Sequence, residues 1–310
     1  MGEIECRGMD GSNPLAFLAS LGLLRTLSLA RPDWDVRMGW RIKGTCFPFL
    51  KTSSDLTEED LLDVLDQGLK SRQGHEALDS GDDIKATPEE YRSLKSRAID
   101  ASSPQHRAFA DFVGALAGEV VVENNDPEHV QDTAFRTMRG AGNQHFLKIM
   151  RMLAKETERE HLDRTLFRPW DYADGIKSHS LRWDPLDYSP HAYRWRDPSA
   201  DPRRNKSGGM WGANRLAVEG LPLLPVAAES GRLETTGFRG HGANNTYWTW
   251  PVWEPPICTE EVRSALAIEE LQGERLNGSV LRERGIEAVF RSQRFVDGKF
   301  RNFTPGERIL

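Results

Sequence analysis

The chain has 310 residues, a formal net charge of −6 and an isoelectric point near 5.8. Its acidity excludes a protein that coats DNA over its whole surface, because binding to phosphates depends largely on Lys and Arg. The length allows one large domain or two ordinary ones, with ample apolar material for a core. Acidic residues predominate between Lys51 and Val130, and basic residues between Gln131 and Gly220. We therefore expect an anionic ligand to bind the second of these regions.

The three cysteines point to a reducing environment. Cys6, Cys46 and Cys258 are far apart and match neither a disulfide framework nor the spacing of a zinc site. Glu3 and Glu5 stand where a signal peptide would carry basic residues. The expected location is therefore the cytoplasm, with no membrane partner.

Residues 1–50 are predicted to form the first part of the core, as a strand, a helix and a hairpin. Either Ser12 or Asn13 can cap the helix, and a proline follows at the first helical position. The helix, Leu15–Ala30, is apolar on most sides, so we expect it to be buried between layers. Gly22 within it indicates close approach of another element.

The remaining pattern predicts an α+β fold, mainly antiparallel sheets with a buried N-terminal helix and a helical insertion. Residues 51–130 read as an acidic helical insertion, and residues 131–310 as a basic α+β part that completes the core. A long helix is expected from Gln144 to Leu162. The other predicted elements are strands over Glu3–Gly8, Val36–Leu50 (a hairpin turning at Lys43-Gly44), Arg232–Phe238, Thr246–Val252, Ile286–Phe295 and Lys299–Phe303, helices that start near Thr57, Thr87 and His106, and a last helix from Thr259 to about Leu271.

The stretch from Arg203 to Val226 is the first candidate binding site. It begins as a basic loop with two adjacent glycines and is expected to continue as a helix that starts near Gly212–Asn214. Helix N-termini attract anions through their unpaired N–H groups, and glycines let the backbone approach a ligand closely. A flexible, solvated loop before a buried helix is the alternative. The candidate nucleic-acid contacts here are Arg203, Arg204, Lys206, Gly208, Gly209, Asn214 and Arg215.

Two further loops are candidates. The first, Arg136–Gln144, is a glycine-flanked basic helix start in which Arg139, Asn143 and Gln144 could contact an anion, although a plain turn explains it as well. The second, Gly240–Asn245, is glycine-rich and carries Asn244 and Asn245. Asn and Gln can read base edges, while Arg and Lys hold phosphates. The alternatives are a helix cap for Asn214 and a turn for the two asparagines.

The sequence carries no signature of a common enzyme class. A P-loop, a G-x-S-x-G elbow and an H-E-x-x-H motif are all missing, and the eight histidines lack metal-site spacing. Four aspartates could chelate Mg²⁺ as in a nuclease, but turn initiation explains their positions better. We therefore predict no catalytic residue, no metal and no cofactor. The four aspartates are Asp184, Asp187, Asp197 and Asp201.

Several motifs, taken in order, resemble a family of CRISPR-associated proteins from type I-U loci, now called type I-G. The family is regarded as a short relative of the large subunit of the Cascade effector. The segment 51–130 lies outside the resemblance. The motifs are DGSNPLAFLASLGLL at 10–24 followed by Trp34, SLRWDP at 180–185, GANRLAVEGLP at 212–222, and TWPVW at 249–253.

The resemblance implies a non-catalytic subunit of an RNA-guided surveillance complex in antiviral defence. Its partners would be the other Cascade subunits, guide RNA, target DNA and a helicase-nuclease. In such complexes the guide pairs with the target, while protein contacts a short flanking motif and the backbones. Two alternatives remain open: a metal-dependent nuclease of a prokaryotic defence system, and a structural adaptor whose basic region docks an acidic protein.

Overall fold

The computed structural model describes residues 2–72, 76–101, 107–120, 128–138, 145–175, 180–187 and 208–310. It has the expected α+β architecture, in which helices and antiparallel sheets share a large hydrophobic core. The helices of the described residues are α1 (Pro14–Ala30), α2 (Glu58–Lys70), α3 (Pro88–Asp100), α4 (Arg107–Leu116), α5 (Phe146–Glu156), α6 (Arg159–Phe167), α7 (Trp211–Gly220), α8 (Thr259–Leu266) and α9 (Gly278–Glu283).

Strand pairs within the described residues are all antiparallel. The strands are β1 (Gly2–Glu5), β2 (Arg37–Lys43), β3 (Thr45–Thr52), β4 (Ala117–Gly118), β5 (Gln131–Asp132), β6 (Val226–Glu229), β7 (Arg232–Thr235), β8 (Phe238–Arg239), β9 (Thr246–Trp253), β10 (Ile286–Asp297), β11 (Phe300–Phe303) and β12 (Glu307–Arg308). One sheet has the order β1-β3-β2, and the larger has the order β11-β10-β9-β8, with β12 also paired to β10. Two small ladders, β4–β5 and β6–β7, complete the set.

Helix α1 is buried along most of its length, as its all-round apolar sequence predicts. The side chain of Asn13 caps it by accepting the backbone N–H groups of Leu15 and Ala16 at 2.8 and 3.3 Å. At Gly22 the helix meets α7 so closely that a Cβ would lie 1.7 Å from the carbonyl oxygen of Leu216. The expected close approach at Gly22 is thus confirmed.

Aromatic side chains join α1 to both sheets. The ring of Phe17 packs against Trp250 and Trp253, with ring centroids 5.7 and 6.3 Å away. Both indoles donate hydrogen bonds to the N-terminal part of the chain, Trp250 to the carbonyl of Gly11 at 2.8 Å and Trp253 to that of Met38 at 2.7 Å. Buried indole N–H groups need such partners, and here they fix the larger sheet to the N-terminal segment.

The predicted long helix from Gln144 to Leu162 is wrong, because the described part of this segment forms two helices. Helix α5 ends at Glu156, and Thr157 adopts an extended backbone. The side chain of His161 then accepts the backbone N–H of Glu158 at 3.0 Å, which completes a capping box for α6. This local cap stabilises a new helix start at Glu158, so α5 and α6 are separate helices and not one continuous helix.

Helices α2, α3 and α4 occur where the sequence predicts them, and Leu61, Leu65 and Phe112 from this segment belong to the same core as α1. The hairpins that turn at Gly44 and Gly298 are also confirmed. The last predicted helix is shorter than expected, since α8 ends at Leu266. Within the described ranges, no helix combines the length and apolarity needed to span a membrane.

Candidate nucleic-acid interface

The glycine pair that precedes α7 packs against the protein's own backbone. Gly209 forms a bridge with Asp174, with N–H to carbonyl distances of 2.8 and 3.3 Å in the two directions. A Cβ on Gly208 would lie 1.8 Å from the carbonyl oxygen of Tyr172. The close approach that Gly208 permits is therefore used by the segment around Tyr172, while a Cβ on Gly209 would meet nothing within 4 Å. The predicted ligand contacts of Gly208 and Gly209 stay predictions.

The N-terminus of α7 already holds an anion, and that anion is a side chain. The carboxylate of Asp174 accepts the backbone N–H of Trp211 through Oδ2 at 2.8 Å, and its Oδ1 accepts Arg164 Nη1 at 2.5 Å. The prediction that this helix start attracts negative charge is correct in kind, but Asp174 occupies the place assigned to a phosphate. The predicted contacts Arg203, Arg204 and Lys206 lie outside the described residues.

The prediction that Asn214 and Arg215 contact nucleic acid is wrong, because their exposed fractions are 1% and 2%. The amide of Asn214 accepts the backbone N–H of Leu181 at 3.1 Å and donates to the carbonyl of Met210 at 3.0 Å. It is therefore not the helix cap either, since the N-cap position belongs to Met210. These bonds fasten the segment at Leu181 to α7.

Arg215 belongs to a buried ionic cluster centred on Glu219, one helical turn further on. Its Nη1 lies 2.8 Å from Glu219 Oε1, while Arg25 Nη1 and Arg72 Nε lie 3.0 and 3.5 Å from Oε2. Burial alone would raise the pKa of Glu219, but Arg215, Arg72 and Arg25 together lower it to about 2. Burial conversely lowers the pKa values of Arg25 and Arg72. The cluster links α1 and α7 to Arg72, two residues beyond the end of α2, and is closed to a ligand strand.

A different place on the surface gathers positive charge around an open cavity. We call it the cationic pocket. It has a volume of about 630 Å³ and lies between the two small ladders, β4–β5 and β6–β7, and the larger sheet. The described residues that line it carry four positive side chains, two carboxylates and two histidines. These are Lys85, Arg136, Arg294 and Arg301, then Asp132 and Glu234, and finally His129 and His241.

Two of the pocket arginines are held in place by hydrogen bonds to the backbone. Arg294 donates to the carbonyl of Ala134 at 2.7 Å and to the hydroxyl of Thr246 at 3.3 Å. Arg301 donates to the carbonyl of Arg136 at 3.0 Å, and the same nitrogen lies 3.9 Å from the carboxylate of Asp132. Such bonds fix the position of a guanidinium without removing its charge, so the pocket is organised before any ligand binds.

The third arginine is the most heavily engaged. Arg136 is buried, forms ion pairs with Asp132 and with Asp83 (Nη2 to Oδ2, 2.8 Å), and donates to the carbonyl oxygens of Met138 at 3.0 Å and Ile84 at 3.1 Å. Its role is to shape the pocket floor. The residues predicted beyond it, Arg139, Asn143 and Gln144, lie outside the described part of the chain.

The predicted loop Gly240–Asn245 forms one wall of the cationic pocket, through Gly240, His241 and Gly242. Asn244 organises this loop, because its side-chain oxygen accepts the backbone N–H of Val296 at 3.1 Å. Asn244 and Asn245 are both exposed on the loop, and both remain predicted contacts.

Sequence reasoning missed Lys85, Arg294 and Arg301. One signal was present: Arg294 stands at an inward position of β10, on a face that otherwise carries Ala288, Phe290 and Ser292. A buried charge on a strand needs a polar environment, so it marks a polar cavity inside the fold.

Two of the four aspartates proposed as nuclease ligands come together at 184–187. Asp184 is buried; it accepts Tyr172 Oη at 3.1 Å, Asn13 Nδ2 at 3.3 Å and the backbone N–H of Leu186 at 2.9 Å. Burial, and then the charge of Asp184, raise the pKa of Asp187 to about 7. Asp197 and Asp201 lie outside the described residues.

Asp184 is thus committed to structural bonds that tie the start of α1 to this segment. Over the described ranges, no three His, Cys, Asp or Glu side chains converge as metal ligands.

Compared with known proteins, the chain matches no family and no curated sequence.

Proposed function

We propose that this chain is a cytoplasmic, non-catalytic subunit of a type I (I-G/I-U-like) CRISPR RNA-guided surveillance complex. In this proposal it contacts guide RNA, or target DNA and its flanking motif, through the cationic pocket. The order of the sequence motifs supports the assignment to such a complex. The observation that carries the binding role is the pocket itself, where four Lys and Arg side chains face two carboxylates in a protein of net charge −6.

The physical argument rests on where the positive charge lies. A concave surface on which positive side chains outnumber carboxylates raises the local concentration of an anionic ligand. Arginine and lysine contacts to phosphates supply most of the affinity for nucleic acid, without dependence on sequence. Asn245 is exposed on the loop whose residues Gly240–Gly242 line the pocket, and in this proposal it contacts a base edge.

Lys85 gives the sharpest test, because it is exposed and lines the pocket. Lys85→Glu should weaken binding of a labelled oligonucleotide at least tenfold and reduce the dependence of log Kd on log salt by about one. Lys43→Glu is the matched control, since Lys43 is equally exposed but lies at the β2–β3 turn of the smaller sheet. Equal weakening by both variants would reject the pocket as the binding site.

Membership of a complex needs its own experiment. The chain should co-purify with the Cascade subunits encoded beside it, and the reconstituted complex should bind target DNA more tightly with the chain than without it. Equal target binding in both preparations would reject the proposal.

The metal-dependent nuclease alternative is favoured by one observation, the neighbouring carboxylates of Asp184 and Asp187. Incubation of the purified chain with labelled single- and double-stranded substrates and Mg²⁺ or Mn²⁺ tests it. Cleavage that disappears in Asp187→Asn would establish the nuclease over the binding subunit. The adaptor alternative predicts that Lys85→Glu weakens the affinity of the chain for an acidic protein and not its affinity for an oligonucleotide.

A further inference from the structure

A second cavity adjoins the cationic pocket, under the helices of segment 51–130. It has a volume of about 280 Å³ and shares Ile84, Lys85 and Val130 with the cationic pocket as common lining. The shared wall is fixed, because the backbone N–H of Val130 donates to the carbonyl of Ala86 at 3.0 Å. The two cavities are therefore direct neighbours, with Ile84, Lys85 and Val130 lining both.

The second cavity differs from the first in chemistry. Its lining is mainly aliphatic, with one aromatic ring, that of Tyr91, whose hydroxyl donates to the carbonyl of Ala117 at 2.6 Å and so holds the ring in place. Leu94, Val113 and Leu147 are among the aliphatic side chains. A volume near the lower limit of ligand pockets suits a flat ring of base size rather than a helix or a peptide.

The carboxylates at this cavity are already engaged. Asp83 pairs with Arg136 and accepts the backbone N–H of Ile84 at 3.1 Å, and Glu90 accepts the backbone N–H of Thr87 at 2.8 Å in a capping box. A base in the cavity would thus be held by packing and stacking more than by hydrogen bonds. Such contacts accept every base with similar affinity.

We propose that the two cavities together take one unstacked nucleotide of a bound strand, with its base in the second cavity and its phosphate in the cationic pocket. The inference rests on the proposed function and names the unit of nucleic acid that this surface accepts. Lys85 stands at the junction, as an exposed cation that lines both cavities. Extruded bases are commonly held this way, between aromatic and apolar side chains.

Competition against a labelled single-stranded oligonucleotide tests the inference from the ligand side. We expect AMP, CMP, GMP and UMP each to displace half of the labelled oligonucleotide at a concentration at least tenfold lower than ribose 5-phosphate does. These half-displacement concentrations should differ less than fivefold among the four nucleotides. Equal competition by ribose 5-phosphate would overturn the inference. So would equal affinity for an abasic oligonucleotide, and in that case the proposed nucleic-acid binding would still stand.

Variants test it from the protein side. Ala86→Leu and Leu94→Trp each place extra volume in the second cavity, and both positions are only partly buried. Each variant should weaken the binding of AMP at least tenfold, as measured by calorimetry, and leave the salt dependence of oligonucleotide binding unchanged. Unaltered AMP affinity in a filling variant that melts as the wild-type protein does would refute the base position. If oligonucleotides fail to bind at all, the proposed function falls, and calorimetry with AMP against ribose 5-phosphate decides the nucleotide site separately.

Discussion

The carboxylate of Asp174 accepts the first backbone N–H of helix α7, that of Trp211, at 2.8 Å. The two residues are far apart in sequence, and the bond carries negative charge to a helix N-terminus that lacks a side-chain cap of its own at Met210. Arg164 holds the other carboxylate oxygen, so the Asp174 side chain is fixed from both sides. Asp174 therefore does for α7 what a local Ser, Thr or Asp does for an ordinary helix.

Replacing Asp174 should destabilise the protein through the loss of this cap. We expect Asp174→Ala to lower the free energy of unfolding by about 1–2 kcal/mol, and Asp174→Asn by less, because an amide oxygen can still accept the Trp211 N–H. Urea denaturation measures both. Asp171→Ala is the control, since Asp171 pairs with the same Arg164 from an exposed position. An equal loss in the control would assign the effect to the ion pair instead of the cap.

Much of the fold could be predicted from the sequence, but the predicted nucleic-acid contacts of Asn214 and Arg215 in α7 were wrong. The apolar run of α1, the cap at Asn13 and the turns at Gly44 and Gly298 depend on local chemistry, which a sequence displays directly. The buried cluster in which Arg215 pairs with Glu219 also contains Arg25 and Arg72, which come from distant segments. A partial signal existed, because Glu219 follows Arg215 by four residues within an apolar run, a spacing that lets the two pair inside a core.

The cationic pocket was found only in part for the same reason. Its wall at Gly240–Gly242 belongs to a local loop that glycine content reveals. Arg294 and Arg301 stand on the two strands of the β10–β11 hairpin, whereas Lys85 comes from a distant segment. The hairpin was predictable, but no spacing rule connects it with Lys85 or with the segment at 134–138, so only the folded arrangement shows them together.

Removing the buried carboxylate at the centre of the arginine cluster should cost more than any surface change. In Glu219→Gln, Arg25, Arg72 and Arg215 lose their shared anion in a place closed to water, so we expect a loss of about 3–5 kcal/mol in the free energy of unfolding. Chemical denaturation checks this. Glu229→Gln, at an exposed position of β6, should change stability by less than about 0.5 kcal/mol. A loss below 1 kcal/mol in Glu219→Gln would contradict the cluster's role.

The contact between α1 and α7 predicts opposite outcomes for one substitution at two helical glycines. Gly22→Ala places a methyl group 1.7 Å from the carbonyl oxygen of Leu216, so the helices must separate, at a cost of about 2–4 kcal/mol. Gly114→Ala in α4 meets nothing within 4 Å and should stabilise the protein by about 0.5–1 kcal/mol. Thermal and urea unfolding of both variants measure these changes. Similar changes in the free energy of unfolding for the two variants would be inconsistent with the α1–α7 packing.

Asp187 should make stability depend on pH near neutrality. Its pKa in the folded protein is raised from 3.8 to about 7, first by burial and then by the charge of Asp184. Below pH 3.8 the carboxyl is protonated in both the folded and unfolded states. Between pH 3.8 and 7 the unfolded state ionises first, so this contribution to stability falls as pH rises and is lost above pH 7.

The substitution Asp187→Asn, which cannot ionise, should therefore remove part of that fall. We expect the variant to be more stable than the wild-type protein at pH 8 by on the order of 1–3 kcal/mol, and the difference to shrink toward pH 4. Urea denaturation at five or six pH values measures the two curves. Asp55→Asn, at an exposed aspartate, should follow the wild-type curve at every pH. Parallel curves for Asp187→Asn and wild-type protein from pH 4 to 8 would show that Asp187 ionises as freely in the folded state as in the unfolded state.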